Sequence, residues 1–180
     1  MESGGSSIND IIELAIIKAK KDNNGKFHTI DVFHRFYYPL NEIGFHHFKT
    51  HGIDLDRIEK ERNASSDFFA EYYKDDIDIA SFCQGERTVV AHNVSFEKRH
   101  ISRHFFFDQY FCTMAQNKNI LKLSSPSGRN CFKPPTLREV CLFYDIAFDE
   151  RNYHSAIYDA EKTLEVVNRM DLSLRSLILS

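Results

Sequence analysis

The sequence has little that would tie it to a membrane, a zinc finger or an oxidising compartment. No stretch approaches the ~18 uninterrupted apolar residues of a membrane-spanning helix. The first apolar run is short and carries Glu13, so no signal peptide is expected. The four cysteines, Cys83, Cys112, Cys131 and Cys141, form no CxxC pair and stand at no zinc-finger spacing with a histidine pair. They read as free thiols of a reducing compartment, and a cytoplasmic location is expected. Positive charge is not in excess either. With 23 Lys and Arg against 26 Asp and Glu, the net charge of −3 excludes a general basic field for coating polyanions. A protein that grips one strand end needs only a local basic rim, so nucleic acid stays open as a partner. No internal repeat is visible.

What is present suits a single domain of 180 residues, with 42% hydrophobic residues available for a core. Residues Ile11–Lys20 read as a strand, short and rich in Ile. Lys21–Lys26 is a turn in which Asn24-Gly25 supplies a positive φ, and "FHTIDVFHRFYYP" is a second strand closed by Pro39. The chain therefore opens with an antiparallel hairpin. Residues Asn41–His51 make at best a short helix, and Asp54 is placed to cap a helical "DLDRIEKER". Ser66–Phe82 suits a longer helix whose apolar face is Phe68, Phe69, Tyr72, Tyr73, Ile77 and Ile79. A brief buried strand is expected at Arg87–Asn93, a helix at Ser95–Phe105, and a strand running into a helix at Gln109–Gln116. Ser124–Pro135 reads as a loop. Thr136 and Glu139 form a capping box for a helix through Tyr144, and His154–Met170 forms the last long helix. This order points to an α/β fold with a mixed sheet.

Three segments could carry chemistry. In "VVAHNVSFEKRH" a strand ends at His92-Asn93, and Glu97 lies on the first turn of the helix that follows. A carboxylate there can reach a metal at the rim of a sheet, although for an isolated Glu the helix dipole is the simpler explanation. In "HSAIYDAEKTLEVV" His154 precedes a helix that carries Asp159, a pairing that suits a general base and a metal ligand. The spacing alone is weak, because His51 to Asp56 and His92 to Glu97 repeat it. Glu2 is the third candidate. Positions i and i+2 of a strand face one side, so an Asp-x-Glu pair there can hold two divalent ions about 4 Å apart for in-line phosphodiester hydrolysis.

The order of these pieces says more than any one of them. "MESGG", "NDIIELAII", "FYYPL", "HGIDLD", "AHNVSFE" and "TLREV…HSAIYDAEKTLEVV" follow one another as the motifs of the DEDDh 3′–5′ exonucleases do, and the chain resembles that family from Glu2 to about Met170. The resemblance implies an RNase H-like mixed sheet of strand order 3-2-1-4-5, with strand 2 antiparallel to the rest, flanked by helices. It implies a metal-dependent 3′–5′ exonuclease that hydrolyses phosphodiester bonds at the 3′ end of DNA or RNA with two Mg²⁺ or Mn²⁺ ions. The partners implied are a single-stranded 3′ end and, in proofreading or repair, a polymerase. By the same resemblance Glu2, Glu97 and Asp159 are metal ligands and His154 is the general base. Ser3 lies near the terminal nucleotide, and His92 and Asn93 shape the strand end. Arg99, at i, i+4 from Arg103, offers a phosphate-contacting face beside the site, with a solvated helix face as the alternative. His100 and His104 share that spacing and could chelate zinc.

Two departures from the family pattern stand out. Glu97 replaces the Asp of the second motif, one methylene longer at a site for an ion strict about its geometry. The Asp of the first motif would precede Met1, and the first strand is expected to be missing with it. That would leave the edges of its neighbours unpaired. The survival of Glu2, Glu97, His154 and Asp159 favours a start upstream that supplies the Asp. The alternatives are a catalytically impaired nucleic-acid-binding module or a truncated fragment.

Overall fold

The computed structural model describes residues 2–3, 11–125 and 131–178; the side chains of Glu2, Ser3 and Leu172 lie outside the description. So do Gly4-Gly5 of the first motif and the centre of the 124–135 loop.

The expected hairpin is there. Strand β2 (Ile11–Lys21) pairs antiparallel with β3 (Phe27–Phe36) from Glu13↔Phe36 to Lys21↔Phe27. Ile30 is the extra residue of a bulge, since Lys18 opposes Asp31 and Ala19 opposes Thr29. The turn is organised by Asp22, whose Oδ1 accepts the N–H groups of Asn24 (2.8 Å) and Lys26 (2.9 Å). Gly25 takes the positive φ, 75°, that lets the loop close. Of the first strand only two residues form: Glu2–Ser3 are β1 and pair antiparallel with β2, Glu2 opposite Glu13 and Ser3 opposite Ile11, and among the described residues β1 pairs with no other strand. Strands β4 (Thr88–Ala91) and β5 (Gln109–Cys112) pair in parallel, with α4 (Val94–Ile101) as the crossover between them. The strand orders β1-β2-β3 and β4-β5, with β2 antiparallel to its neighbours, fit the RNase H-like α/β arrangement.

Helices cover the sheets. α1 (Phe45–His51) ends at Gly52 in a left-handed conformation, and α2 (Leu55–Ala64) is capped by Asp54, which accepts the Arg57 N–H. α5 (Thr113–Leu121) follows β5 directly. α6 (Leu137–Phe143) begins with the reciprocal Thr136–Glu139 capping box, and α7 (Ala156–Arg169) packs on β2 and β3, followed by the short α8 (Leu172–Arg175). One core cluster joins Phe27, Phe111, Val140, Cys141, Val166 and Met170. Another joins Ile11, Leu14, Phe33, Tyr37, Tyr73 and Ile79. The hairpin lies between them, so β2 buries Ile11 to Leu14 without a gap.

The long helix expected over Ser66–Phe82 does not form. Only a 3₁₀ turn (Tyr73–Asp75) and α3 (Asp78–Cys83) are helical. Arginines on neighbouring elements claim this segment's polar groups. Arg62 donates to the carbonyls of Phe36 (2.7 Å), Phe69 (3.3 Å) and Ala70 (3.0 Å), and Tyr38 N–H donates to Glu71 O (2.8 Å). Asp76, 2% exposed, accepts from Arg35 at 2.7 and 2.8 Å, from the Tyr37 hydroxyl at 2.8 Å and from Asp78 N–H at 3.0 Å. Phe68 and Ile77, assigned to an apolar face, are exposed instead. The helix expected through Phe105 ends at Ile101, and Arg103 and His104 follow in a turn.

Asp76 is thus the buried knot of this segment. Asp76→Ala leaves the Tyr37 hydroxyl without its acceptor and Arg35 with only the exposed Asp78, and is expected to cost about 3–5 kcal/mol in urea unfolding. A loss below about 1 kcal/mol would show that the segment is held by other contacts.

Candidate active site

Three elements bring acidic groups together. β4 ends at Ala91, and its direction carries the chain through His92 and Asn93 into α4. Glu97 sits on the first turn of α4, where the helix dipole favours negative charge. The residue is half-buried, yet its Oε2 is sealed from solvent and has no hydrogen-bond partner among the described residues. Burial pushes its carboxyl above the usual carboxylate range.

The start of α7 supplies the second group. His154 adopts a left-handed backbone, φ 68°, and its ring stacks on Tyr153 at 3.8 Å. Burial pulls its imidazole below the ordinary value, so it is uncharged at neutral pH. Asp159 lies one turn into the helix. Burial raises its carboxyl to about 6, the charges of Glu13 and Glu97 add to the rise, and the backbone N–H of His154 donates to it and opposes the rise. Asp159 Oδ1 is buried without a partner among the described residues.

Glu13 is the third acid, and the sequence reading gave it no role. It is fully buried on β2, opposite Glu2. Its Oε1 accepts from His34 Nε2 at 2.9 Å and from Ser155 Oγ at 3.2 Å, and the Ala156 N–H also donates to the carboxylate. Burial alone would raise this carboxyl, but these bonds hold it below its usual value. Oε2 of Glu13 remains unpartnered. The signal available in the sequence was a carboxylate inside the run Ile11-Ile12-Glu13-Leu14, since a lone acid in an apolar strand is costly unless something there needs it.

Buried carboxylate oxygens without donors are what a divalent cation satisfies, and oxygen ligands are what Mg²⁺ and Mn²⁺ prefer. The Glu97 and Asp159 oxygens fit such an ion. Among the described residues no three His, Cys, Asp or Glu side chains enclose a metal site by themselves, and the Glu2 side chain lies outside that description. Glu2 and Ser3 are placed by their backbone, next to Glu13 and Ile11.

The other expected residues fall into different positions. His92 spends both ring nitrogens on the protein, near Thr113 Oγ1 at 3.1 Å and Pro135 O at 3.0 Å, and burial keeps it neutral. It therefore braces the strand end from within. Asn93 is exposed at the start of α4 and makes no capping bond. Arg99 is exposed and lies over the Phe96 ring at 5.9 Å. Residues two apart do not share a helix face, so it does not stand beside Glu97. The Arg99–Arg103 and His100–His104 pairs do not share a helix, because α4 ends at Ile101. His100 is buried, and the His104 ring packs on Tyr73 at 4.6 Å. Basic groups appear instead beside α7, where a cavity of about 280 Å³ is lined by His51, Arg57, Arg151, Ser155 and Tyr158 together with the acidic Glu161, Arg151 being paired with Asp149 at 2.7 Å.

The raised carboxyl of Asp159 has a consequence for stability. With its folded value at about 6 and an ordinary value of 3.8, the folded state holds this proton more tightly than the unfolded chain. Stability of the metal-free protein is therefore lost as pH rises from about 4 to 6, and stays lost above. In chelator, Asp159→Asn is expected to stabilise the protein on the order of 1–2 kcal/mol at pH 8 and hardly at pH 4, read from thermal unfolding. Equal effects at both pH values would contradict the burial of this charge.

Comparison with known proteins agrees with this arrangement. Residues 4–167 match the RNase_T exonuclease family. Ribonuclease T of Histophilus somni (strain 129Pt) is 27% identical over 180 residues, spanning 93% of this chain and 78% of that protein. Ribonuclease T of Haemophilus influenzae (strain PittEE) is 28% identical over 189 residues, spanning 93% and 74%. A solved structure of exonuclease X in complex with 5′ overhanging duplex DNA superposes with a TM-score of 0.62 at 17% identity, covering 98% of this chain and 88% of that one, and shares the fold. With acids from β2, α4 and α7 meeting where the family motifs fall, the chain belongs to the RNase_T exonuclease family, of the DEDD type.

Proposed function

We propose that the chain is a metal-dependent 3′–5′ exonuclease that removes nucleotides from the 3′ end of a DNA or RNA strand. The supporting observation is the pair of buried, unpartnered carboxylate oxygens, Glu97 Oε2 and Asp159 Oδ1, near an uncharged His154. Glu2, Glu97 and Asp159 would hold Mg²⁺ or Mn²⁺, which when bound lowers the pKa of water and neutralises charge building on the phosphate. His154 is the general base. It takes a proton from the attacking water as the water oxygen bonds to phosphorus. The bond from phosphorus to the 3′ oxygen of the preceding nucleotide breaks, that oxygen takes a proton from solvent to leave as a hydroxyl, and His154 returns its proton to solvent. The products are a nucleoside 5′-monophosphate and a strand one nucleotide shorter.

The rest of the site serves binding. In this reading Ser3 would lie near the terminal nucleotide, and His92 and Asn93 would shape the strand end. The cavity lined by Arg57 and Arg151 beside Ser155 suits the phosphates of the strand, a role Arg99 is turned away from. Ribonuclease T relatives and a DNA-bound structural neighbour keep both RNA and DNA within the reading.

The test uses single-stranded DNA and RNA carrying a label at either end. With Mg²⁺ or Mn²⁺, a 5′ label is expected to give a descending ladder and a 3′ label to release mononucleotide at once, with chelator stopping both. His154→Ala is expected to lower kcat about 10²–10⁴-fold. Digestion from the 5′ end, or hydrolysis indifferent to chelator, would overturn the proposal. Strand binding without hydrolysis under either ion would also overturn it and leave a binding module.

A further inference from the structure

We propose that Glu13 is a positioning residue of this site: from β2 its buried carboxylate fixes the backbone between His154 and Asp159. The inference rests on the roles given to those two residues above.

The start of α7 is capped in an unusual way. Ser155 is a residue type that ordinarily caps its own helix, yet here it makes no side-chain capping bond. Its Oγ turns to Glu13 Oε1 at 3.2 Å, and the first helical N–H, from Ala156, goes to the same carboxylate. A local cap would serve the helix alone. A carboxylate from another strand ties the helix start to the sheet and complements the helix dipole as well.

His154 stands just before these anchors, at a positive φ that is uncommon outside glycine, although histidine tolerates it better than most residues. On its other side, its backbone N–H donates to the Asp159 carboxyl group. Asp159 is in turn held by its own N–H on Ser155 O at 3.0 Å, and Ser155 N–H reaches Asn152 O at 3.1 Å. The backbone of the general base is thus clamped between two carboxylates. A strained residue persists where its surroundings over-determine it, and Glu13 is the only member of the clamp that comes from outside the 149–159 segment among these bonds. His34 Nε2, at 2.9 Å from Oε1, fixes the carboxylate from the neighbouring strand. A merely structural Glu could be replaced by an apolar residue of its size with no effect on His154. A positioning Glu could not.

The experiment compares Glu13→Met, which keeps the volume and removes the acceptors, with Glu13→Gln, which keeps an acceptor oxygen. On labelled single strands, Glu13→Met is expected to lower kcat about 10–100-fold with KM little changed. Glu13→Gln is expected to recover most of that loss. The His154 ring resonances of the metal-free protein should move in Glu13→Met and stay in place in Glu13→Gln, with those of His28 at the far end of the hairpin as the reference. If Glu13→Met does not fold, Ser155→Ala removes one link alone and is expected to shift the same resonances. A folded Glu13→Met with kcat within twofold of the parent and unmoved His154 resonances would overturn the proposal. So would an unmoved His154 in Ser155→Ala if that variant has to be used. If the parent protein hydrolyses no strand, the reading of function fails, and the resonances still decide whether Glu13 positions His154.

Discussion

The carboxylate of Glu13, set into the middle of an apolar strand and turned to the start of α7, is the contact on which the rest of the structure depends. It joins the hairpin to the helix that carries Asp159 and follows His154. The far end of α7 is tied to the same hairpin, where the Asn168 side chain exchanges two hydrogen bonds with the backbone of Phe27, both at 2.8 Å. The hairpin turn is held again from the C-terminal side, by Arg175 on Gly25 O at 2.8 Å. A helix pinned to one ribbon at both ends has little freedom to slide. The position of His154 and Asp159 is then a property of β2 and β3 as much as of α7.

The acids of the site differ in how they are satisfied, and the difference sorts their roles. Glu13 has donors on one oxygen and sits below its ordinary carboxylate value despite full burial. Glu97 and Asp159 have buried oxygens without donors, and burial holds both above theirs. The first makes its contacts through one oxygen and leaves the other without a donor among the described residues. The other two carry a desolvation cost that only a proton or a cation can relieve. Like charges in mutual reach are unfavourable for an isolated fold, and a chain that keeps them is spending stability on function.

Much of the fold was legible because the local code and the tertiary contacts agree. The hairpin follows from Ile-rich and aromatic runs about Gly25, and α6 from a capping box that forms as read. α7 follows from its apolar spacing and its motif, and the pairing of His154 with Asp159 came with it. The failures share one cause, long-range polar contacts that no window of sequence displays. The segment over 66–82 has apolar residues at helical spacing, but Arg35 and Arg62 on other elements take its carboxylates and carbonyls, and the helix yields. The sequence pattern extends α4 to Phe105, whereas the helix ends at Ile101, and the basic face that needs its last turn does not form. In the sequence Glu13 is only a charge interrupting an apolar run. Its meaning depends on Ser155, 142 positions away along the chain.

The central claim is that the unpartnered oxygens of Glu97 and Asp159 face a common divalent ion. Crystals of the protein grown or soaked with Mn²⁺ and measured near the manganese absorption edge test it directly. An anomalous peak within coordination distance of Glu97 Oε2 and Asp159 Oδ1, lost in Asp159→Asn, is the result expected. Manganese that binds elsewhere, or fails to bind at concentrations where it supports hydrolysis, would contradict it.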